Sequence, residues 1–258
     1  MMKLAVISDI HGNLHALDAV LNDLETVEAD KTWVLGDLAA HGPRPAECVT
    51  KIRELAAADR ENFKVIGGNT DRWIVTNERS SFRGSAKDKE TYHTYVNQFK
   101  FEGALYPWAT EKLGWENYEY LSKLIGRELR TTAEDYGIVM GYHAIPGNDE
   151  YNITDDTPDE EALDSVLDRP LRMGIYGHIH RQVNRDLRRA HLVNPGSVGM
   201  SFETPGKAQY AVITFEGNTA HIDMRAVDYD IDAVAADLEQ VGHPHPAVIE
   251  TILREGRI

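Results

Sequence analysis

The sequence predicts an α/β protein in which a parallel sheet is covered by helices, and three features of its N-terminal third predict it. Short apolar runs recur at Leu4-Ala5-Val6-Ile7, Trp33-Val34-Leu35 and Phe63-Lys64-Val65-Ile66. They have the length of strands, and the first reads as one buried on both faces. Between the runs, Leu14, Leu17, Val20, Leu21 and Leu24 recur at helical spacing, and residues 45–57 read as a second helix with Pro45 near its first turn. Each run also stops at polar residues: Ser8-Asp9, Gly36-Asp37 and Gly67-Gly68-Asn69. The resulting βαβαβ rhythm makes a parallel sheet. In open α/β sheets ligands bind beyond the carboxyl ends of the strands, so the three polar clusters are expected to meet in space.

From Arg79 to about Lys123 the texture changes, with Tyr92, Tyr95, Phe99, Tyr106, Trp108, Trp115, Tyr118 and Tyr120 set among charges at loosely helical spacing. This reads as a helical insertion at about 79–123 whose aromatics pack onto the core. Strands resume at 137–140 and 173–176, and residues 183–193 read as a hairpin. Residues 149–168 carry nine acidic side chains and no Lys or Arg, which reads as a solvated loop and helix face. Within them Thr157-Pro158-Asp159-Glu160 has the form of a helix start, with Thr157 as cap, Pro158 as first helical residue and Glu160 as capping-box partner. Residues 210–215 and 221–227 form two strands joined through Gly217-Asn218, a strong hairpin signal. Helices close the chain near 231–241 and 246–254. With no repeat, linker or low-complexity tract, a single domain over 1–258 is expected.

Composition narrows the function. Of 258 residues, 42% are hydrophobic and 27% charged, the profile of a soluble globular protein, and the formal net charge is −15. Such a surface repels polyanions, so general nucleic-acid binding is not expected, whereas a small anionic substrate remains possible at a local cationic site. The lone cysteine, Cys48, excludes an intrachain disulfide. The N-terminal apolar run is too short for a signal peptide, and no stretch approaches the ~20 apolar residues of a membrane span. A cytoplasmic location is expected; oligomeric state is open.

The polar clusters carry the chemistry. Asp9-x-His11, Gly36-Asp37, Gly68-Asn69-x-Asp71, His143 and Gly177-His178-x-His180 supply carboxylate, imidazole and amide donors and no thiolate. Such a mixed set suits manganese, iron, zinc, cobalt or nickel. The glycines let the backbone turn sharply and approach a ligand. Taken singly, each piece has an ordinary structural reading: a turn aspartate, a turn-forming asparagine, a satisfied histidine. Their conjunction, in order and each after an apolar run, points to a metal site.

The series Asp9-Ile10-His11-Gly12-Asn13, Gly36-Asp37, Gly68-Asn69-Thr70-Asp71, His143 and Gly177-His178-Ile179-His180 resembles the calcineurin-like metallophosphoesterase superfamily. The later Asn194-Pro195-Gly196-Ser197-Val198-Gly199 is similar to a loop of its small bacterial YfcE-like phosphodiesterases. The motifs span about residues 3–200. The resemblance implies a four-layer αββα sandwich of two mixed sheets flanked by helices. It also implies two divalent transition-metal ions, manganese favoured. Asp9, His11, Asp37 and His180 would hold one; Asp37, Asn69, His143 and His178 would hold the other, with Asp37 bridging. The implied reaction is phosphoester hydrolysis, most readily of a small phosphodiester, by a hydroxide shared between the metals. A phosphomonoesterase or nucleotide phosphatase and an inactive scaffold on the same fold are the alternatives.

One residue departs from the pattern. The superfamily usually has histidine at Thr70, where it is thought to protonate the leaving oxygen or stabilise its charge. A threonine hydroxyl donates a hydrogen bond but is a poor acid at neutral pH. His41, four residues after Asp37, is a candidate substitute, with an ordinary loop histidine as the equal competing reading. Asp71 is expected to orient a neighbour or its loop. Arg44 and Arg72 are minor candidates for phosphate contact, and residues 194–199 could offer backbone N–H groups to an anion.

Overall fold

The computed structural model describes residues 1–79 and 86–257. Residues 80–85, near the start of the expected insertion, lie outside them. Two five-stranded mixed sheets stack face to face. The first contains β1 (Met2–Ile7), β2 (Lys31–Val34), β3 (Phe63–Val65), β9 (Lys207–Glu216) and β10 (Thr219–Asp228), in the order β10-β9-β1-β2-β3. The second contains β4 (Leu129–Ala133), β5 (Gly137–Gly141), β6 (Met173–Ile175), β7 (Gln182–Asp186) and β8 (His191–Pro195), in the order β4-β5-β6-β8-β7.

The parallel βαβαβ core is present: β1 pairs with β2, and β2 with β3, in parallel. It is only part of its sheet, because the β9–β10 hairpin adds antiparallel to β1. The period-two side-chain alternation of β1 explains why both faces are buried. Leu4 and Val6 pack with Trp33, Ile213 and Phe215 against Val139, Met173, Ile175 and Val193 of the second sheet. Ile7, Val34, Val65 and Tyr210 face the helices instead.

Helices α1 (Leu14–Glu25), α2 (Pro45–Ala58), α3 (Asn69–Thr76) and α4 (Lys89–Ser122) contribute Leu17, Val20, Ile52, Trp73, Leu105 and Leu121 to that outer core. On the second sheet, α5 (Asp159–Asp164) brings Ala162 against Tyr142, Tyr176 and Leu192. Helices α6 (Ile231–Gln240) and α7 (Pro246–Glu255) pack together through Val234, Leu238, Ile249 and Ile252. Among the described residues, no helix is long and apolar enough to cross a membrane.

Four local expectations change. Strand β4, with sequence LRTTA, pairs antiparallel with β5 at the edge of its sheet and was not anticipated. Asn69 does not end a strand but opens α3, with Gly68 as its N-cap. Helix α5 starts at Asp159 with Pro158 as N-cap, because the Thr157 hydroxyl instead accepts the Thr154 N–H and closes the preceding turn. In α4, interrupted at Gly114 (φ 69°), Tyr106 is buried, but Tyr92, Tyr95, Phe99 and Trp115 are exposed. Packing on the core is shared by Tyr106, Trp108 and Tyr120 with the aliphatic Leu105, Leu113 and Leu121, so the expectation holds for part of the aromatic set.

Candidate metal centre

The strand ends converge as the topology demands. Asp9 and His11 follow β1, Asp37 follows β2, Asn69 follows β3, His143 follows β5, and His178 and His180 follow β6. Asp9, His11, Asp37, Asn69, His143 and His180 are buried, and His178 is partly so. Five of these residues leave their strands in the left-handed region: Asp9 (φ 56°), His11 (50°), Asp37 (52°), His178 (70°) and His180 (55°). That region costs an L-residue roughly 1–2 kcal/mol, and such strain gathers where a site dictates side-chain direction.

Two glycines make room for the donors. A Cβ on Gly68 would sit 2.2 Å from Asp37 Oδ1 and 2.6 Å from His143 Cε1. A Cβ on Gly177 would sit 2.0 Å from Ser8 Oγ and 2.6 Å from Asp9 Oδ2. Neither position tolerates a side chain while the donors stay in place.

The donor atoms crowd closely together. His143 Nδ1 lies 2.7 Å from the Leu35 carbonyl, which can only accept, so Nδ1 carries the proton and Nε2 presents a lone pair. That lone pair faces Asp37 Oδ2 at 3.5 Å and Asn69 Oδ1 at 2.8 Å. His178 Nδ1 lies 2.9 Å from the same Asn69 oxygen. The Asn69 amide is better satisfied turned the other way, with its NH2 towards both imidazoles, which leaves its oxygen free to turn inward when a cation is bound. On the other side, His11 Nε2 and His180 Nε2 are 2.9 Å apart. Asp9 Oδ1 is 3.9 Å from the first and 3.5 Å from the second, and makes no hydrogen bond within the protein despite being buried. Ligand atoms of Asp9, His11 and His180 lie within 4.8 Å of one another, as do those of Asp9, Asp37 and His143.

The electrostatics favour the metal-binding forms of His11, His178 and Asp9. By contrast, burial and the neighbouring Asp9 raise the Asp37 carboxyl, and burial would lower the His143 imidazole but Asp37 and Asp9 raise it. Burial, reinforced by His41 and His180, holds the His11 imidazole well below its usual range. Burial and His143 lower His178 to about 4. Both rings are therefore neutral and able to ligate near neutral pH. Burial would raise Asp9, but the His180, His143 and His11 rings outweigh it and hold the carboxyl low. The donor set thus fits two adjacent divalent transition-metal ions.

The remaining candidates have specific surroundings. Asp71 accepts the backbone N–H groups of Leu38, Ala39 and Gly68, and so ties the Asp37 loop to the start of α3. Thr70 donates its backbone N–H to Asp37 Oδ1 at 2.9 Å, while its hydroxyl is buried without a hydrogen-bond partner. His41 lies edge-on to His11, with ring centroids 4.7 Å apart, and Phe101 stacks on its far side. Arg44 is held by Asp237 and Glu47, and Arg72 by Asp149, Glu150 and Glu78. Both guanidiniums are committed to carboxylates, and residues 149–150 are an anchored part of the acidic segment. The N–H groups of Gly196, Val198, Gly199 and Met200 are likewise spent, on Asn194, Ser8, Asp9 and Ser197. The 194–199 loop therefore braces the end of β1 and offers an anion nothing from those positions. Asn13, whose amide joins the Gly199 carbonyl to the Ala16 N–H, completes that brace. It was visible in the sequence only as the last residue of the first motif.

The sequence model of the calcineurin-like phosphoesterase superfamily domain matches residues 2–218. The chain belongs to this superfamily. A protein of Methanocaldococcus jannaschii described as uncharacterised is 28% identical over 249 residues, covering 88% of each chain. The symmetrical bis(5'-nucleosyl)-tetraphosphatase of Erwinia tasmaniensis is 32% identical over 89 residues, 34% of this chain and 31% of that protein. Among solved structures, a hypothetical protein of Pyrococcus horikoshii superposes with TM-score 0.81 at 23% identity, over 100% of this chain and 99% of that one. A metallophosphoesterase of Sphaerobacter thermophilus gives 0.72 at 24% identity, over 99% and 100%. At these identities the structural neighbours show the shared fold. Membership of the superfamily supports hydrolysis of a phosphoester with the help of bound metal.

Proposed function

We propose that this calcineurin-like phosphoesterase is a phosphodiesterase acting on a small substrate with two divalent transition-metal ions, manganese being the first candidate. The carrying observation is the convergence of seven donors around Asp37, whose Oδ2 lies 3.7 Å from His11 Nε2 and 3.5 Å from His143 Nε2. Asp9, His11 and His180 would complete one ion's ligands; Asn69, His143 and His178 would complete the other's. When bound, such a pair generates a nucleophile from water at neutral pH and neutralises the phosphoryl oxygens.

The protein's own share is orientation. The Leu35 carbonyl fixes the His143 tautomer, and the Asp71 carboxylate holds two ligand-bearing loops in register. Nothing at position 70 can supply a proton readily at neutral pH, so leaving groups that depart as stable anions are favoured. A diester also suits the site: its single charge is met by the metals, and it enters a protein of net charge −15 more easily than a polyanion does.

The test is hydrolysis of bis(p-nitrophenyl) phosphate against p-nitrophenyl phosphate by manganese-loaded protein, before and after chelation. The proposal expects chelator-sensitive turnover with the diester preferred. A preference for the monoester would make the protein a monoesterase, and no turnover of either would make it a scaffold.

A further inference from the structure

A cavity of about 490 Å³ opens beside the metal centre, with His143 in its wall. Its volume lies within the roughly 300–1,000 Å³ of small-molecule sites, far more than one phosphoryl group needs. It is sized for the organic part of an ester whose phosphorus sits at the metals.

The charges around it decide what that part can be. Arg72, Arg127, Glu128, Asp149 and Glu150 line the cavity. Arg72 is surrounded by Asp149, Glu150 and Glu78, and Glu128 is paired with Arg169. Arg127 is exposed, and its guanidinium has no carboxylate partner among the described residues. The wall itself thus sets two arginines against three carboxylates. The cavity is polar, with its cations largely neutralised, and carries no surplus of positive charge for a second phosphate.

We infer that this cavity is the subsite for the organic group of the substrate, and that it selects an uncharged, hydroxyl-bearing group and rejects one carrying further phosphates. This deepens the phosphodiesterase reading and rests on it. Glu150 and Glu128, on different segments of the wall, act as specificity determinants by repulsion, which is how discrimination against a close analogue is commonly built. Arg127 acts in the opposite sense.

The test uses two esters with the same leaving group: the p-nitrophenyl ester of thymidine 5'-phosphate, and the same compound bearing a 3'-phosphate. Wild-type kcat/KM should favour the first by roughly tenfold at low salt, the scale of a like-charge interaction across such a cavity. The ratio should shrink as salt rises. Glu150→Gln and Glu128→Gln should each narrow it several-fold, and Arg127→Ala should widen it, with thermal unfolding confirming that each variant is folded. A merely structural role would not reverse sign with the charge removed. Equal rates on the two esters, or a ratio indifferent to salt and to all three substitutions, would overturn the inference while leaving the phosphodiesterase reading intact. Failure of the metal-loaded protein to hydrolyse either ester would overturn both.

Discussion

Asp37 Oδ2 stands 3.5 Å from His143 Nε2, bringing an acid from the end of β2 in one sheet to an imidazole from the end of β5 in the other. The same oxygen is 3.7 Å from His11 Nε2. Asp37 is therefore the joint between the two halves of the donor set. Asp37→Ala should weaken both ions, whereas His178→Ala should weaken one. Metal titrations of the two variants, followed by calorimetry, check the difference. Equal single-ion losses would show that Asp37 serves one site alone.

Removal of metal should separate activity from folding. A chelator should abolish hydrolysis and added manganese restore it, because water is activated by the ions. The far-ultraviolet circular dichroism of the stripped protein should stay near native, since Leu4, Val6, Trp33, Ile175 and Phe215 form an inter-sheet core independent of the ligands. Hydrolysis that survived exhaustive chelation would contradict the mechanism.

Thr70 should show in the choice of leaving group. Aryl diesters should be hydrolysed much faster than alkyl diesters, because an aryl oxide leaves without a proton. Thr70→His should narrow that gap by adding a group that titrates near neutrality. A wild-type enzyme indifferent to leaving group, with a Thr70→His variant equally indifferent, would remove the acid argument.

A pH-dependent prediction comes from a site away from the metals. Arg225 and Tyr210 hydrogen-bond to Asp23 and hold its carboxyl below the usual range. Its stabilising contribution is present above the unfolded-state value near 3.9 and is lost as the pH falls through the lower folded-state value. Asp23→Asn should therefore cost about 1 kcal/mol at neutral pH, the scale of a hydrogen bond to a charged, partly exposed group. The difference from wild type should fade below about pH 4. Denaturant melts at pH 7 and pH 3 check it; a difference that persisted undiminished at pH 3 would contradict the assignment.

The convergence of the seven candidate donors was legible because each follows an apolar run, and the parallel strands of the two sheets bring those ends together. The αββα architecture was legible through the same motifs and their resemblance to a family. What the sequence hid was set by distant partners or weak local signals. Gly67-Gly68-Asn69 reads as a turn, yet Asn69 begins a helix, because Asp71 caps it from within by accepting the Gly68 N–H. Strand β4 alternates Leu, Thr and Ala with more exposed residues, too faint a pattern to announce an edge strand. The fate of Arg72 depends on Asp149, 77 residues away, which no local pattern reveals. The exposed aromatics of α4 carry no periodic signal separating them from buried Tyr106.

The central claim is that the seven donors form a two-ion centre, and the most direct measurement is the metal content of the purified chain. After loading with manganese and removal of unbound ions, elemental analysis should find about two ions per chain, and Asp37→Ala should retain neither tightly. A wild-type protein that holds no metal after loading, or holds one ion unaffected by Asp37→Ala, would contradict the account.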